Sequence, residues 1–393
     1  MRDPMKRFCR YIRYAGMLFR YALALLIGIF ARHTPAYRDL WLFAERGYDA
    51  QDNAFFLFQF VRQKHPEIHA AYLIGRECPD YGNIIRLGRA IEPGSFSHYL
   101  AFACAKVKIS THIMGYSPHM YLFTKLDSHR LVPGRKVFLQ HGILFNHIPT
   151  LYYPRIRVDL FVCSAGREYQ AILDHYGHPQ GVVQPLGLCR YDHLFREHTE
   201  KRQILILPTW RAALRDCSRE AFQTSAYFHF FNSLLRHPQM AELLEQYHYT
   251  LLVQLHPEMQ RFAACFSSVH PRIKIQATNT QNVQQLLLES KLLITDYSSI
   301  FFDFAYLGKP LAYYAFDEAY FFATHYQRGY FDLEEDGFGP VCRHPDEVLQ
   351  FIKERLADNM RVPALYRARA KGFFPPRRTD HCSRTVSAIR ALL

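Results

Sequence analysis

Short apolar runs alternate with longer stretches of helical spacing through most of this chain of 393 residues. The runs at 68–74, 107–110, 136–140, 159–164, 204–207, 251–255 and 292–295 have the length and continuity of strands buried on both faces. Strand and helix in regular alternation predict α/β architecture with mostly parallel sheets. The chain is too long for one ordinary core and suits two. Residues 185–202, rich in charge and turn formers, read as the linker between two α/β halves. The expected division is a basic segment at 1–33, an N-terminal domain at 34–190, a C-terminal domain at 191–378, and a last helix at 379–393 that packs back on the first domain.

The most informative stretch is 291–310, KLLITDYSSIFFDFAYLGKP. Leu292, Leu293 and Ile294 form the strand, and Asp296, Ser298 and Ser299 are small polar residues where a helix needs its cap. Ile300, Phe301, Phe304 and Leu307 then follow at helical spacing until Gly308 and Pro310 stop the helix. Free N–H groups at such a start would hold a phosphate, with two serine hydroxyls as added donors. The same serines would also serve as plain caps.

Three other strands end in comparable chemistry. The run 136–140 is followed by His141 and Gly142, the run 204–207 by Pro208, Thr209, Trp210 and Arg211, and the run 251–255 by His256 and Pro257. Ligands of open α/β sheets bind at the carboxyl ends of strands. Taken singly, the histidines read equally as structural residues and the arginine as half of an ion pair. As a set, two histidines, an arginine and a helix start suit transfer of a phosphate ester, one imidazole removing a proton and the other stabilising the leaving group. The sequence calls for no cofactor. It contains no Asp-x-Asp pair, and a divalent cation stays open.

Net charge of +13 favours acidic partners such as nucleotides or anionic lipid. Nucleic acid is excluded as a partner class by the lack of any Arg-Gly-Gly tract, RRM signature or Cys/His finger. Nine cysteines without a CxxC pair point to reduced thiols. In the N-terminal segment Lys6, Arg7, Arg10, Arg13 and Arg20 accompany an apolar run at 21–31. That run is short for a bilayer span, so the expectation is an amphipathic helix on an anionic membrane surface, with packing on the protein itself as the alternative.

These residues in this order resemble the CDP-glycerol glycerophosphotransferase family, which includes teichoic acid primases and polymerases and related capsule polymerases. The resemblance runs from the stretch 41–53 (WLFAERGYDAQDN) through Gln140–Gly142, Pro208–Arg211, Leu255–Pro257 and 293–310. It continues through 314–317, the string Arg328, Gly329, Tyr330, Phe331, Asp332, and Gly339–Pro340, to about residue 343. It implies a GT-B fold of two facing Rossmann-like domains, with the donor held mainly by the second. By position, His141 would be the base on the acceptor hydroxyl. His256, Arg211, Ser298 and Ser299 would hold the donor diphosphate, His256 also serving catalysis. Asp303, Thr209 and Asp296 would lie near the donor's glycerol or ribose. The implied partners are CDP-glycerol, a lipid-linked or polymeric saccharide acceptor, and the cytoplasmic face of the cell membrane as a peripheral site. Another CDP-alditol or sugar nucleotide as donor, and a non-catalytic nucleotide-binding module, stand as alternatives. One departure is that the His-Gly pair is followed by Ile143, Leu144, Phe145 and Asn146 instead of a basic stretch such as Thr-Pro-Leu-Lys, which leaves the acceptor open.

Overall fold

The structure, a computed structural model, describes residues 4–266, 270–276 and 282–393, without the side chains of residues 4 and 6. Residues 1–3 of the expected N-terminal segment lie outside the described residues. The chain forms two compact units. The first comprises Met1–His141, Pro149–His193 and Arg378–Leu393, and the second Gly142–Ile148 and Leu194–Arg377.

Seven parallel strands make the sheet of the first unit: β1 (Trp41–Ala44), β2 (Ala70–Leu73), β3 (Arg89–Ile91), β4 (Val107–Ser110), β5 (Arg135–Phe138), β6 (Leu160–Cys163) and β7 (Val183–Pro185), in the order β3-β2-β1-β4-β5-β6-β7. Strand side chains alternate between faces, so Trp41 and Phe43 enter one core with Phe58, Tyr72 and Val137, while Leu42 and Ala44 enter another with Phe102, Tyr116 and Phe123. The first core is completed by Cys382, Val386 and Ile389 of the helix His381–Ala391, whose first N–H groups donate to Asp192 at 2.9 and 2.8 Å. The second is completed by Tyr21 and Ala24 of the helix Pro4–Ala31.

The second unit repeats the scheme with six parallel strands: β8 (Gln203–Leu207), β9 (Thr250–Gln254), β10 (Ile273–Gln276), β11 (Leu292–Thr295), β12 (Leu311–Tyr314) and β13 (Val341–Cys342), in the order β10-β9-β8-β11-β12-β13. In each sheet the order reverses once, between β1 and β4 and between β8 and β11. That reversal splays the crossovers to opposite faces and opens a crevice at the carboxyl ends of those two strands.

Two features differ from the sequence reading. The first half of the segment read as linker is structured, with Leu186, Leu188, Cys189, Arg190 and Tyr191 buried in the first unit. The N-terminal helix takes in 28 residues, because Tyr14–Phe19 continue the apolar face upstream of residue 21. Its stretch Arg7–Ala31 is therefore long and apolar enough, by length and composition, to cross a membrane, which the run 21–31 alone is not.

Candidate active site

At the reversal point of the first unit, the turns after β1, β4 and β5 interlock. Gln140, the residue before His141, has a left-handed backbone (φ 58°), an uncommon conformation for a residue with a side chain. It is held there from both ends. Its carbonyl accepts from Asn53 Nδ2 at 2.8 Å, and its own Nε2 donates to Val162 O and to the buried Glu168. His141 leaves this turn exposed to solvent. Its ring lies flat on that of His112, centroids 4.9 Å apart and planes 10° apart.

Charged groups flank the pair. Asp52, which caps the helix Asn53–Lys64, receives Arg190 Nη1 at 2.7 Å, and the same nitrogen donates to the His141 carbonyl at 3.2 Å. Although solvent reaches its ring, the protein gathered around it removes enough hydration to lower His141 below the ordinary imidazole range. Asp52 opposes that shift, Arg190 and Arg46 add to it, and a hydrogen bond to the Thr111 backbone opposes it. Glu45, at the end of β1, accepts from the main-chain nitrogens of Gln51, Asp52 and Phe55. Burial, Asp52 and Asp49 raise its carboxyl to about 8 in spite of these donors.

At the reversal point of the second unit, β8 and β11 are tied by their own end residues. Asp296 is wholly buried and accepts from Thr209 N at 2.8 Å, Thr209 Oγ1 at 2.5 Å, Tyr297 N at 2.8 Å and Arg211 Nη2 at 2.9 Å. Burial acts to raise its pKa, but every group aimed at its two oxygens is a donor, so the carboxylate is the form this geometry fits. Arg211 is 2% exposed and divides its donors between Asp296, Asp317 and the Thr209 carbonyl. Four rings, of Phe321, Tyr297, Tyr227 and Phe316, lie 5.1 to 5.9 Å from its Cζ. Burial opposes its charge, yet Asp296 and Asp317 hold it more firmly protonated than an ordinary arginine. The guanidinium assigned to donor phosphate on sequence grounds is thus engaged by protein carboxylates.

The remaining candidates take separate places. Ser298 and Ser299 are half-buried at the start of the helix Ile300–Tyr306. Ser299 is its cap residue without a side-chain capping bond, and Ser298 Oγ lies 3.5 Å from Ile300 N. Asp303 is fully buried on that helix and accepts from Gln284 Nε2 at 3.0 Å. His256 is half-buried, its Nδ1 accepts from Glu258 N at 3.3 Å, and its ring stacks over Trp210. Trp210 also meets His325 in a T-shaped contact with centroids 4.5 Å apart, and burial and then Arg211 push that histidine down to about 4. The apolar stretch Ile143–Asn146 is buried, Phe145 packing on Phe301, Phe302 and Phe331 within the second unit. A Cβ on Gly329 would run into the Phe145 carbonyl, so the glycine of the Arg328–Asp332 string is there for close backbone approach. Among the described residues no group of three or more His, Cys, Asp or Glu is arranged to hold a metal ion.

His112, Arg190 and His325 escape the sequence reading, and Asp317 enters it only within the matched stretch 314–317. For His112 the signal is present, since Thr111-His112 follows the run 107–110 as His141 follows its own strand. Arg190 comes from a remote segment and carries no local signal.

The minor teichoic acid biosynthesis protein GgaB of Bacillus subtilis (strain 168) is 29% identical over 366 residues, 90% of this chain but 40% of its own length. The teichoic acid poly(ribitol-phosphate) polymerase of Bacillus spizizenii is 29% identical over 204 residues, 47% of this chain and 30% of its own. The chain thus spans less than half the length of these relatives. A solved structure of the wall teichoic acid polymerase TagF superposes with a TM-score of 0.69 at 16% identity, covering 99% of both chains, and that likeness shows the GT-B fold class with its paired Rossmann-like units. The model of one family, CDP-glycerol:poly(glycerophosphate) glycerophosphotransferase, matches residues 28–390. With nearly the whole chain matched and the motif residues gathered at the carboxyl ends of both sheets, this protein belongs to that family.

Proposed function

We propose that the chain transfers glycerol phosphate from CDP-glycerol to a hydroxyl of a lipid-linked or polymeric glycan acceptor, releasing CMP, as a step in cell-wall polymer synthesis. The observation that carries this reading is His141, an imidazole at the carboxyl end of β5 on a constrained turn, in a chain matched to the family from residue 28 to 390. His141 is shifted below the ordinary imidazole range, so that near neutral pH its ring carries a proton on one nitrogen. The other ring nitrogen then carries the lone pair that a general base needs.

In this mechanism His141 removes the proton of the acceptor hydroxyl as its oxygen attacks the phosphorus that bears glycerol. The bond from that phosphorus to the bridging oxygen breaks, and CMP leaves with the electron pair. His256 supports the departing phosphate. Because its Nδ1 accepts from Glu258 N, its proton sits on Nε2, the nitrogen that would donate to the leaving group. Ser298 and Ser299, half-buried at the end of β11, supply further donors to the diphosphate, while Asp303, Asp296 and Thr209 serve the glycerol or ribose by shaping the β8 and β11 ends. Arg211 acts on the diphosphate chiefly by holding those ends in place. The ribitol-phosphate relative supports CDP-ribitol as a second reading of the donor.

The first unit serves the acceptor and the second the donor, with division at 34–190 and 191–378. Residues 1–33 place the enzyme on the cytoplasmic face of the membrane. Met17, Tyr21, Ala24 and Gly28 of the N-terminal helix turn inward, whereas Phe8, Ile12, Phe19, Leu26 and Phe30 form an exposed apolar stripe, with Arg7, Arg10, Arg13 and Arg20 on other sides of the helix. Such a helix suits the boundary of an anionic bilayer. The enzymatic test is incubation of the purified chain with CDP-glycerol, CDP-ribitol or a sugar nucleotide and a lipid-linked saccharide. CMP release and a product heavier by glycerol phosphate are expected. CDP-glycerol binding without CMP release from any donor would establish the non-catalytic module instead.

A further inference from the structure

The proposed reaction uses one of the two imidazoles at the first unit's reversal point as a base and leaves the second without a role. His112 follows β4 and His141 follows β5, and these strands are paired in parallel. The His112 ring is held from its own side of the stack. Its Nδ1 lies 2.9 Å from Thr111 Oγ1, and its main-chain N–H donates to Ser110 Oγ at 3.0 Å. Gly115 closes the same turn so tightly that a Cβ would run into both Ser110 Oγ and the Glu45 carbonyl. The residue before His112 supplies the backbone contact to the His141 ring. One short turn therefore sets a flat ring against the face of His141.

We propose that His112 is a positioning residue, whose stacked ring fixes the orientation and tautomer of the His141 imidazole. The inference rests on the reading of His141 as the base. A ring held in parallel contact blocks rotation of His141 about χ2, a torsion that is otherwise broad for imidazoles. A ring that cannot turn presents each nitrogen to fixed surroundings, so that one tautomer is kept. The second ring also displaces water from one face of His141, which disfavours the imidazolium. The charged groups that face the pair are Asp52, which favours imidazolium, and Arg190 and Arg46, which oppose it. Arg46 is itself paired with Asp49 at 2.6 Å, and Glu45 lies at the head of the same turn. Burial first, then His141 and Arg46, push His112 down to about 2, so His112 stays neutral while His141 exchanges the proton.

The test follows His141 by NMR in the ¹⁵N-histidine-labelled full chain, its signals assigned by loss in His141→Gln, and CMP release from CDP-glycerol in parallel. His112→Ala is expected to raise the His141 midpoint by about half a pH unit or more and to mix its two tautomers. It should lower kcat on the order of tenfold with donor KM unchanged. His112→Phe, which keeps a flat ring, should restore a single tautomer and most of the turnover, and it serves as the folded control should the alanine variant fail to fold. An unchanged His141 midpoint and tautomer in folded His112→Ala, or failure of His112→Phe to restore the tautomer, would overturn the inference. The NMR readout needs no substrate. A chain whose His141 responds to His112 but releases no CMP from any donor keeps the positioning role and loses the proposed function, and CMP release with an indifferent His141 does the reverse.

Discussion

Arg211 and Asp317 meet side on, Nε donating to Oδ2 at 2.7 Å and Nη2 to Oδ1 at 2.8 Å. This fork joins the turn after β8 to the turn after β12, and through Asp296 to the turn after β11. Lysine offers a point charge and cannot serve both carboxylates and the Thr209 carbonyl from one position. Since both partners of the pair are largely removed from water, Arg211→Lys should destabilise the protein by about 3–5 kcal/mol, the size found when buried pairs are broken. Asp317→Asn should act in the same direction. Denaturant midpoints check this. A large rise in donor KM with an unchanged midpoint would instead assign Arg211 directly to the diphosphate.

Each of the two reaction histidines should be needed for turnover in a different way. His141→Ala is expected to lower kcat by about 10² or more with little change in donor KM, because it removes a base that acts on the acceptor. His256→Ala should cost a similar factor and also weaken the donor, since its ring is held by Glu258 and Trp210 in the second unit. Steady-state CMP release at saturating and limiting CDP-glycerol separates the two. Near-normal turnover in either folded variant would remove that histidine from the mechanism.

Acid should unfold this protein through neutral buried histidines. His98 is buried with Nε2 set against the Tyr116 carbonyl at 2.9 Å and Nδ1 accepting from Gly94 N at 3.0 Å, an arrangement that suits only the neutral ring. Burial pushes it down to about 4, and His325 likewise. Above the ordinary value near 6.5 both folded and unfolded chains hold these rings neutral, and stability is full. As pH falls from about 6.5 to 4 the unfolded chain takes up protons that the folded one refuses, and each such group removes up to about 1.4 kcal/mol per pH unit. Below 4 their contribution levels off. Denaturant midpoints from pH 7 to 4 should fall, and His98→Gln should flatten part of that fall.

The strand ends of this fold are legible in sequence because a buried parallel strand is a continuous apolar run and its chemistry follows one residue later. All seven predicted runs overlap strands. β1 and β12 are missed although Trp41–Ala44 and Leu311–Tyr314 are apolar runs as long as those read at 107–110, 204–207 and 292–295, because periodicity alone does not separate so short a run from a helix segment. The edge strands β3, β7, β10 and β13 are shorter still or carry polar side chains such as Arg89, Gln184 and Lys274. Of the site, His141, Arg211, His256 and Asp296 are visible as strand-end residues. Their pairings are not, since Asp317 lies 106 positions from Arg211 and Asp52 lies 138 from Arg190, although both acids fall in the matched stretches 314–317 and 41–53. The apolar Ile143–Asn146 stretch reads as a lost basic motif in sequence, and its cause is packing against Phe301 and Phe331.

The N-terminal helix has a packed face and an exposed apolar face, which makes the proposed membrane attachment testable without unfolding the first unit. Tyr21 packs edge-on against Phe123 and donates to the Leu131 carbonyl at 2.9 Å, so the inward face belongs to the core. Phe19 and Phe30, 71% and 77% exposed, contribute nothing to it. Phe19→Glu with Phe30→Glu should leave the melting temperature within a degree or two, as surface changes do. The same pair puts two carboxylates at the level of the lipid headgroups and removes two aromatic anchors, so binding to anionic vesicles should drop by tenfold or more. Tyr21→Ala should do the opposite, lowering stability by about 3 kcal/mol through a core cavity while sparing vesicle binding of the folded fraction. Flotation with vesicles of mixed anionic and neutral lipid reads both. Undiminished flotation of the double glutamate variant would leave the stripe without a membrane role.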